Sequence, residues 1–245
     1  MPRRFLAALI FLTVSLAGCL PSPSPSPTPM PIPTKTIIRF LALGDSYTIG
    51  QSVEESQRWP VQLIKLIGAS PGFAKQYGGM NGRIIARTGW TTNELWRAIQ
   101  QDPPEGTYEL VSLLVGVNDQ YRGGGAEQYR QDFSFLLGKA IGYAGGDPSR
   151  VIVLSIPDWG VTPFARYDKR PASQIAAELD AFNAINKDEA QKAGARYVDV
   201  TPISRNAPAD PALIAGDGLH PSGKMYAFWA TLVLPEALGA LGIEQ

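Results

Sequence analysis

Three residues that together could perform acyl transfer stand at separate places in this sequence. His220 is the only histidine among 245 residues, so a base of the imidazole type must be this side chain. Asp217 stands three positions before it, close enough to orient the ring and to stabilise its charge. Far upstream, Ser46 ends the tripeptide GDS after an apolar run. These are a nucleophile, a base and an orienting carboxylate, although a lone histidine more often caps or packs than catalyses.

Five short apolar runs predict the strands that would position these residues. They cover residues 37–43, 83–87, 109–115, 151–156 and 197–200. Helical spacing of the apolar residues between them predicts helices over 59–67, 91–100, 126–141, 172–193 and 222–241. The first, third and fourth runs are nearly continuous in Leu, Val and Ile, as in strands covered on both faces. The alternation predicts an α/β fold, a three-layer α/β/α sandwich around a central, mainly parallel five-stranded sheet.

The candidate residues follow the ends of the predicted strands. Ser46 follows the first run, Gly89 the second, and Asn118 the third, within the tetrapeptide GVND at 116–119. His220 precedes the last predicted helix. Because parallel strands end at one edge of a sheet, we expect these four positions to converge there.

In these four segments the chain resembles the SGNH, or GDSL-like, hydrolases, from the first strand to the last helix. The resemblance implies a flavodoxin-like SGNH hydrolase fold and a catalytic set of Ser46, Asp217 and His220. It also implies an oxyanion hole built from the backbone N–H groups of Ser46 and Gly89 and the side-chain amide of Asn118.

Two local features bear on this resemblance. Tyr47 stands beside Ser46, where the family name has leucine, and is expected to affect the shape of the pocket rather than the reaction. Three other glycines, Gly78, Gly79 and Gly82, lie near Gly89 and compete with it for the second family block.

The predicted function is that of a carboxylic ester hydrolase acting on small or medium acyl esters through an acyl-enzyme intermediate. Carbohydrate acetyl esters, lysophospholipids and thioesters all stay open as substrates. Trp90, Tyr121 and Trp159 follow the second, third and fourth strands, where they could stack on a sugar, wall an acyl pocket or simply pack. The alternative is a non-catalytic surface lipoprotein that binds a glycan, but such a protein would not need a complete set of catalytic residues.

The first 18 residues are typical of a lipoprotein signal peptide. Two arginines precede an apolar stretch of about ten residues, too short to span a membrane stably. The run LAGC at 16–19 resembles the bacterial lipobox, which implies cleavage before Cys19 and attachment of lipid to it. We therefore expect a lipid-anchored protein of the bacterial cell envelope, outside the cytoplasm.

Residues 19–35 comprise this lipidated cysteine and a proline-rich linker. Proline occupies every odd position from 21 to 33, which prevents both helix and sheet formation. An extended polyproline II segment rises roughly 3.1 Å per residue, so these positions span about 40 Å. The linker is predicted to hold a single hydrolase domain, residues 36–245, away from the membrane.

Charge and composition exclude several other classes. The 22 basic and 22 acidic residues balance, and no basic block occurs, so nucleic acid is not an expected partner. One histidine and one cysteine cannot form the usual zinc ligand sets or an internal disulfide. We expect no metal or cofactor. The expected partners are a small-molecule ester and, through the lipid anchor, a membrane; the protein is expected to be a monomer.

Overall fold

The computed structural model describes residues 35–244. The predicted signal peptide, the lipidation site at Cys19 and the linker as far as residue 34 lie outside these residues. Among residues 35–244, no helix is both long enough and apolar enough to cross a membrane.

Within residues 35–244, five parallel strands form the central sheet, in the order β2-β1-β3-β4-β5. Their bounds are β1 Ile37–Gly44, β2 Gly79–Ala86, β3 Leu110–Leu114, β4 Val151–Leu154 and β5 Arg196–Val198. The predicted five-stranded α/β/α architecture is confirmed, and every neighbouring pair of these strands is parallel.

The interior strands are buried on both faces, as their continuous apolar sequences predicted. Leu41 of β1, Leu113 of β3 and Val153 of β4 are fully buried. Such burial supplies the main favourable term in folding. It also holds the three strand ends in fixed positions, and two of these ends lead into the candidate site.

Strand β2 differs from the prediction because it begins four residues earlier, at Gly79 rather than at residue 83. Its first half, Gly79-Met80-Asn81-Gly82, has low β-propensity and lacked a signal in the sequence. It pairs with β1 from Ile37↔Gly79 onward. Among the described residues, β2 is an edge strand that pairs with β1 alone. The backbone hydrogen bonds of this pairing compensate for side chains of low β-propensity.

Helices cover both faces of the sheet. Within residues 35–244 the α-helices are α1 Ser46–Ile49, α2 Trp59–Ala69, α3 Pro71–Gln76, α4 Thr92–Gln101, α5 Val117–Tyr121, α6 Ala126–Tyr143, α7 Ala172–Ala193, α8 Thr201–Ser204 and α9 Gly223–Ala240. Helix α2 packs against α9, while α6 packs against both α4 and α7. The five longer helices confirm the five predicted segments to within one or two residues at each end. The short helices α1, α3, α5 and α8 were not predicted, because a turn or two of helix has no measurable period.

Candidate active site

The carboxyl edge of the sheet brings most of the predicted residues together. Ser46 is the first residue of α1, immediately beyond β1, and Asn118 is the second residue of α5, beyond β3. His220 lies in the loop before α9. All three line one pocket. Because all five strands are parallel, their carboxyl ends lie at one edge of the sheet, as expected.

Ser46 is presented by a tight turn that only glycine permits. A Cβ atom at Gly44 would lie 2.4 Å from the carbonyl oxygen of Leu114 and 2.2 Å from Oγ1 of Thr48. Both distances are far below van der Waals contact, so the strand can end this close to β3 only without a side chain. The chain then turns at once into α1, and Ser46 is largely buried at its start.

Asp45 caps this short helix. Its Oδ1 accepts a hydrogen bond from the backbone N–H of Tyr47 at 3.0 Å. The side chain is wholly buried, and burial raises the pKa of the carboxyl to about 8. Asp45 therefore builds the turn beside Ser46.

Asp217 is held against His220 by its own loop. Oδ1 of Asp217 accepts the backbone N–H groups of Leu219 at 2.9 Å and of His220 at 3.0 Å. Oδ2 lies 2.6 Å from Nδ1 of His220. Gly218 between them has φ of +74°, a conformation that favours glycine. The spacing of three residues thus lets one turn of chain fix both members of the pair.

A further contact to this carboxylate comes from Ser52, whose Oγ donates to Oδ2 of Asp217 at 2.6 Å. Burial by itself raises the pKa of Asp217, but the hydrogen bonds from Ser52 and His220 outweigh it and hold this pKa well below its usual range. An ionised carboxylate only accepts hydrogen bonds, so Nδ1 of His220 must carry the proton. Nε2 is then free to accept a proton from another group.

Tyr47 packs edge-on against the imidazole of His220. Its ring centroid lies 5.8 Å from that of His220, with the two planes at 63°. The same ring contacts Trp229 of α9 at 6.3 Å. Tyr47 is buried, so this aromatic side chain, packed between α9 and His220, restricts the movement of the imidazole.

Gly89 lies beyond the carboxyl end of β2, whereas the three other glycines that could form the second family block do not. Gly79 and Gly82 belong to the first half of β2, where they pair with Ile37 and Phe40, and Gly78 precedes the strand. Gly89 has φ of +88°. Gly89 does not itself line the pocket, although its neighbour Thr88 does.

Asn118 in α5 and Arg122 directly after it both bind the segment that contains Gly89. Nδ2 of Asn118 donates to the carbonyl oxygen of Trp90 at 2.9 Å. Nη2 of Arg122 donates to the carbonyl oxygen of Gly89 at 2.6 Å, and its Nη1 pairs with Glu94 at 3.1 Å. Consecutive carbonyl groups of this loop are therefore fixed from one short helix.

Asp119 has a structural role. Its carboxylate accepts from the backbone N–H of Thr92 at 3.0 Å and from the Thr92 hydroxyl at 2.7 Å. Burial raises the pKa of Asp119. The residue joins α5 to the start of α4 and does not line the pocket.

The pocket is small and mostly apolar. Its volume is about 130 Å³. The polar residues on its wall are Ser46, Thr88, Asn118 and His220, and the apolar ones are Tyr47, Val117, Tyr121, Trp159, Phe164 and Leu219. A few polar groups in an apolar cleft are typical of a site that binds a small organic ligand.

Two of the three aromatic residues singled out in the sequence wall this pocket. Trp159 is buried, and its Nε1 donates to Oε1 of Gln120 at 2.9 Å. Tyr121 is 46% exposed and packs edge-on against Trp159 at 5.4 Å between ring centroids. Trp90 does not line the pocket and packs against the hydrophobic core instead.

Sequence reasoning missed Ser52, Arg122 and Phe164. Phe164 enters the pocket from a short 3-10 turn, Pro163–Tyr167, and follows no strand directly. Arg122 stands four residues after Asn118, so a helix would place both on one face. The sequence does not show which group Arg122 would bind. Nothing in the sequence indicated the contact of Ser52. Within residues 35–244, no cluster of three or more His, Cys, Asp or Glu residues could hold a metal ion.

Several solved structures of similar fold share less than one fifth of their sequence with this chain. A lipase/acylhydrolase from Enterococcus faecalis superposes with a TM-score of 0.64 at 18% identity, covering 85% of this chain and 99% of that one. An acetylxylan esterase from Geobacillus stearothermophilus gives 0.61 at 17% identity, covering 87% and 98%. A psychrotrophic esterase from a Pseudoalteromonas species gives 0.55 at 16% identity, covering 83% and 96%. These likenesses establish the fold.

The family is established by the sequence itself. Comparison with curated protein sequences gives no significant match. Residues 42–228, which run from β1 into α9 and include every candidate residue of the pocket, match the GDSL-like Lipase/Acylhydrolase family. The chain therefore belongs to this family and is a carboxylic ester hydrolase.

Proposed function

We propose that this protein hydrolyses esters of short acyl groups through an acyl-enzyme intermediate on Ser46. The observation that carries the proposal is the placement of Ser46 and His220 on one pocket wall, with Asp217 2.6 Å behind Nδ1 of the imidazole. This leaves Nε2 as the acceptor of a proton. An otherwise weak hydroxyl nucleophile requires such a base.

The reaction has two halves. In the first, Oγ of Ser46 attacks the ester carbonyl carbon while His220 takes the hydroxyl proton, and the imidazolium is stabilised by Asp217. The tetrahedral intermediate collapses, the C–O bond breaks, and His220 returns the proton to the departing alcohol. In the second, a water molecule loses a proton to His220 and attacks the acyl-enzyme, which releases the carboxylic acid and restores the Ser46 hydroxyl.

Three donors are proposed to stabilise the negative oxygen of each tetrahedral intermediate. They are the backbone N–H groups of Ser46 and Gly89 and the second side-chain N–H of Asn118. Ser46 stands at the start of α1, where backbone N–H groups have no partner within the helix. Fixed donors of this kind need no reorganisation as charge develops, which makes them effective.

The volume of the pocket supports a short acyl group. Its 130 Å³ is small beside the roughly 300 to 1,000 Å³ of typical ligand pockets. An acetyl to butyryl group suits a pocket of this size, whereas a long fatty acyl chain would extend into solvent. We therefore place the substrate at the short end of the small-to-medium range.

Among such esters, a carbohydrate acetyl ester is the class we favour. Tyr121 lies at the pocket wall with nearly half of its surface exposed, so its ring could stack on a sugar in the alcohol part of the ester. A solved structure of similar fold is described as an acetylxylan esterase. The alternative of a non-catalytic glycan-binding protein would use the same ring but leave Ser46 and His220 without a task.

The decisive experiment compares wild type with Ser46→Ala on a series of p-nitrophenyl esters from acetyl to palmitoyl. We expect hydrolysis of acetate and butyrate by wild type and none by the variant, with equal thermal stability. A fluorophosphonate probe should label wild type only. Ser70→Ala, which alters a serine at the end of α2, serves as the control. Wild-type turnover in Ser46→Ala would disprove the assignment.

We further propose that the protein is anchored in the bacterial cell envelope by lipid on Cys19. The lipobox-like run at 16–19 and the proline-rich linker after it support this location. More than one acyl chain is needed for stable anchoring, and a lipidated N-terminal cysteine carries several in the lipoproteins that the run resembles. Cys19→Ser should move the protein from the membrane to the soluble fraction. Unchanged membrane partition would show that the tether lies elsewhere.

A further inference from the structure

We propose that Ser52 is a positioning residue that fixes the Asp217 carboxylate behind His220, so that the site operates with four side chains in series. The proposal rests on the proposed function, in which His220 is the base.

The geometry of the Asp217 carboxylate carries this inference. Ser52 Oγ donates to Oδ2 at 2.6 Å, and Nδ1 of His220 lies 2.6 Å from the same oxygen. The other oxygen, Oδ1, accepts two backbone N–H groups of the loop itself. Ser52 thus supplies the hydrogen bond that comes to this carboxylate from a distant part of the chain, and it opposes rotation of Oδ2 away from the ring.

The backbone of Ser52 supports a role beyond filling a turn. Its φ is +67°, and among residues 35–244 it is the one non-glycine residue with a positive φ. L-residues adopt this conformation at an energetic cost, so the surrounding structure must compensate. The charge-assisted hydrogen bond to Asp217 provides a compensation that glycine, the residue favoured at such φ, could not make.

The place of Ser52 in the chain connects the nucleophile to the base. The carbonyl oxygen of Ser46 accepts the backbone N–H groups of Gly50 and Gln51, both at 3.0 Å, so the segment after Ser46 is folded back on it. Ser52 follows directly. One short segment therefore holds Ser46 at one end and the partner carboxylate of His220 at the other.

The hydroxyl of Ser52 also affects how strongly Asp217 stabilises the imidazolium form of His220. The hydrogen bond from Ser52 offsets part of the negative charge on Oδ2 of Asp217. Without this bond the carboxylate should stabilise the imidazolium more strongly, so His220 should stay protonated to higher pH. The titratable groups against the imidazole are Asp217 on its own loop and Tyr47 on α1. Burial raises the pKa of Tyr47, and hydrogen bonds lower that of Asp217, so neither titrates near neutral pH.

Two variants separate the hydroxyl from the backbone strain. Ser52→Ala removes the hydroxyl and keeps the strained φ, whereas Ser52→Gly removes the hydroxyl and relieves the strain. The matched control is Ser149→Ala, because the exposed Ser149 hydroxyl also donates to an aspartate, Asp147, at 2.6 Å. That pair precedes β4, at the opposite edge of the sheet.

We expect kcat on p-nitrophenyl acetate to fall about tenfold in both Ser52 variants, as for loss of a hydrogen bond to a charged group, with KM unchanged. The acidic limb of the kcat profile should move to higher pH in both, and Ser149→Ala should match wild type. Full recovery of kcat in Ser52→Gly would overturn the proposal, since only the strain would then matter. An acidic limb that does not move upward in either variant would also overturn it.

A spectroscopic readout tests the same bond without relying on turnover. Because His220 is the only histidine, its Nδ1 proton gives a single downfield NMR signal. This signal should shift or broaden in Ser52→Gly and stay unchanged in Ser149→Ala. An unchanged signal in Ser52→Gly would refute the positioning role. A changed signal in a protein whose wild type hydrolyses no ester would refute the proposed function and leave the positioning role standing.

Discussion

Asn118 gives one of its two side-chain N–H groups to the carbonyl oxygen of Trp90, 2.9 Å away. Only the other N–H remains for a substrate. The same hydrogen bond ties Asn118 to the loop that carries Gly89, so the two proposed oxyanion donors are held as one unit. In the proposed mechanism, Asn118 would both bind the oxyanion and position the loop with a single amide.

Asn118→Ala should therefore lower kcat by about 10² to 10³, the loss seen when one oxyanion donor is removed from a comparable site. KM should change little, since the interaction strengthens only as charge develops on the oxygen. Steady-state kinetics on p-nitrophenyl acetate measure this directly. Asn93→Ala is the control, because Asn93 donates from its amide to Asp132 over the same 2.9 Å but outside the pocket. A variant of Asn118 with wild-type kcat would contradict the role.

The pH dependence of kcat/KM should show one acidic limb. His220 must be neutral to accept the proton of Ser46, so activity should fall as the pH drops and the imidazole becomes protonated. Hydrogen bonding holds the pKa of Asp217 far lower, so its protonation should not contribute to this limb. On the acidic limb, the logarithm of kcat/KM should rise with pH at a limiting slope of one, as for the loss of a single proton. A limiting slope of two would mean that a second group near the pocket must also be deprotonated for activity.

Folding stability should depend on pH through Asp45. Its folded pKa of about 8 lies above the ordinary value of 3.8, so its contribution is fully present below pH 4 and is lost as pH rises toward 8. The free energy of unfolding should therefore decrease over this window, by up to about 1.4 kcal/mol per pH unit from this group. Asp45→Asn retains an oxygen that can accept from Tyr47 and should remove the decrease.

Chemical denaturation of both proteins at pH 5 and pH 8 tests the Asp45 prediction. The control is Asp102→Asn, since the side chain of Asp102 is 86% exposed. Identical pH dependence in wild type and Asp45→Asn would show that Asp45 is not the group responsible.

Acyl-chain preference should depend on Phe164. Its ring forms part of the pocket wall and lies 6.2 Å from that of Trp159. Phe164→Ala should enlarge the pocket and raise the ratio of hexanoate to acetate turnover severalfold. Phe135→Ala offers a matched control, because Phe135 is an exposed aromatic on α6 that packs against Trp96 and does not line the pocket. An unaltered ratio in Phe164→Ala would place the acyl group elsewhere.

The parts of the molecule that could be predicted from sequence are those that depend on local pattern. Strands such as β1 and β3 are buried on both faces, so their apolar runs are continuous and stand out. The side chains at their ends follow from the geometry of parallel sheets, which is why Ser46 and Asn118 could be placed at one edge. Asp217 and His220 could be paired because three residues of chain suffice to bring them together.

Contacts between distant segments could not be predicted in this way. Ser52 meets Asp217 across 165 positions of sequence, and the meeting depends on a backbone conformation that serine rarely adopts. Phe164 reaches the pocket from a 3-10 turn without periodicity. The first half of β2 was missed because pairing to β1, rather than its own side chains, makes it a strand.

Because β1 lies between β2 and β3, both neighbours must fold against it before the central sheet is complete. Ser46, the proposed nucleophile, follows β1, which pairs with a strand on each side, and His220, the proposed base, lies in the loop before α9. Most of the sequence must therefore be assembled before Ser46 and His220 can meet, and topologies with many such long-range contacts fold slowly. A partly synthesised or partly folded chain has no complete site, so it cannot attack esters before it has reached its final structure. Recovery of esterase activity during refolding should accordingly be among the last signals to return, after far-ultraviolet circular dichroism and tryptophan fluorescence.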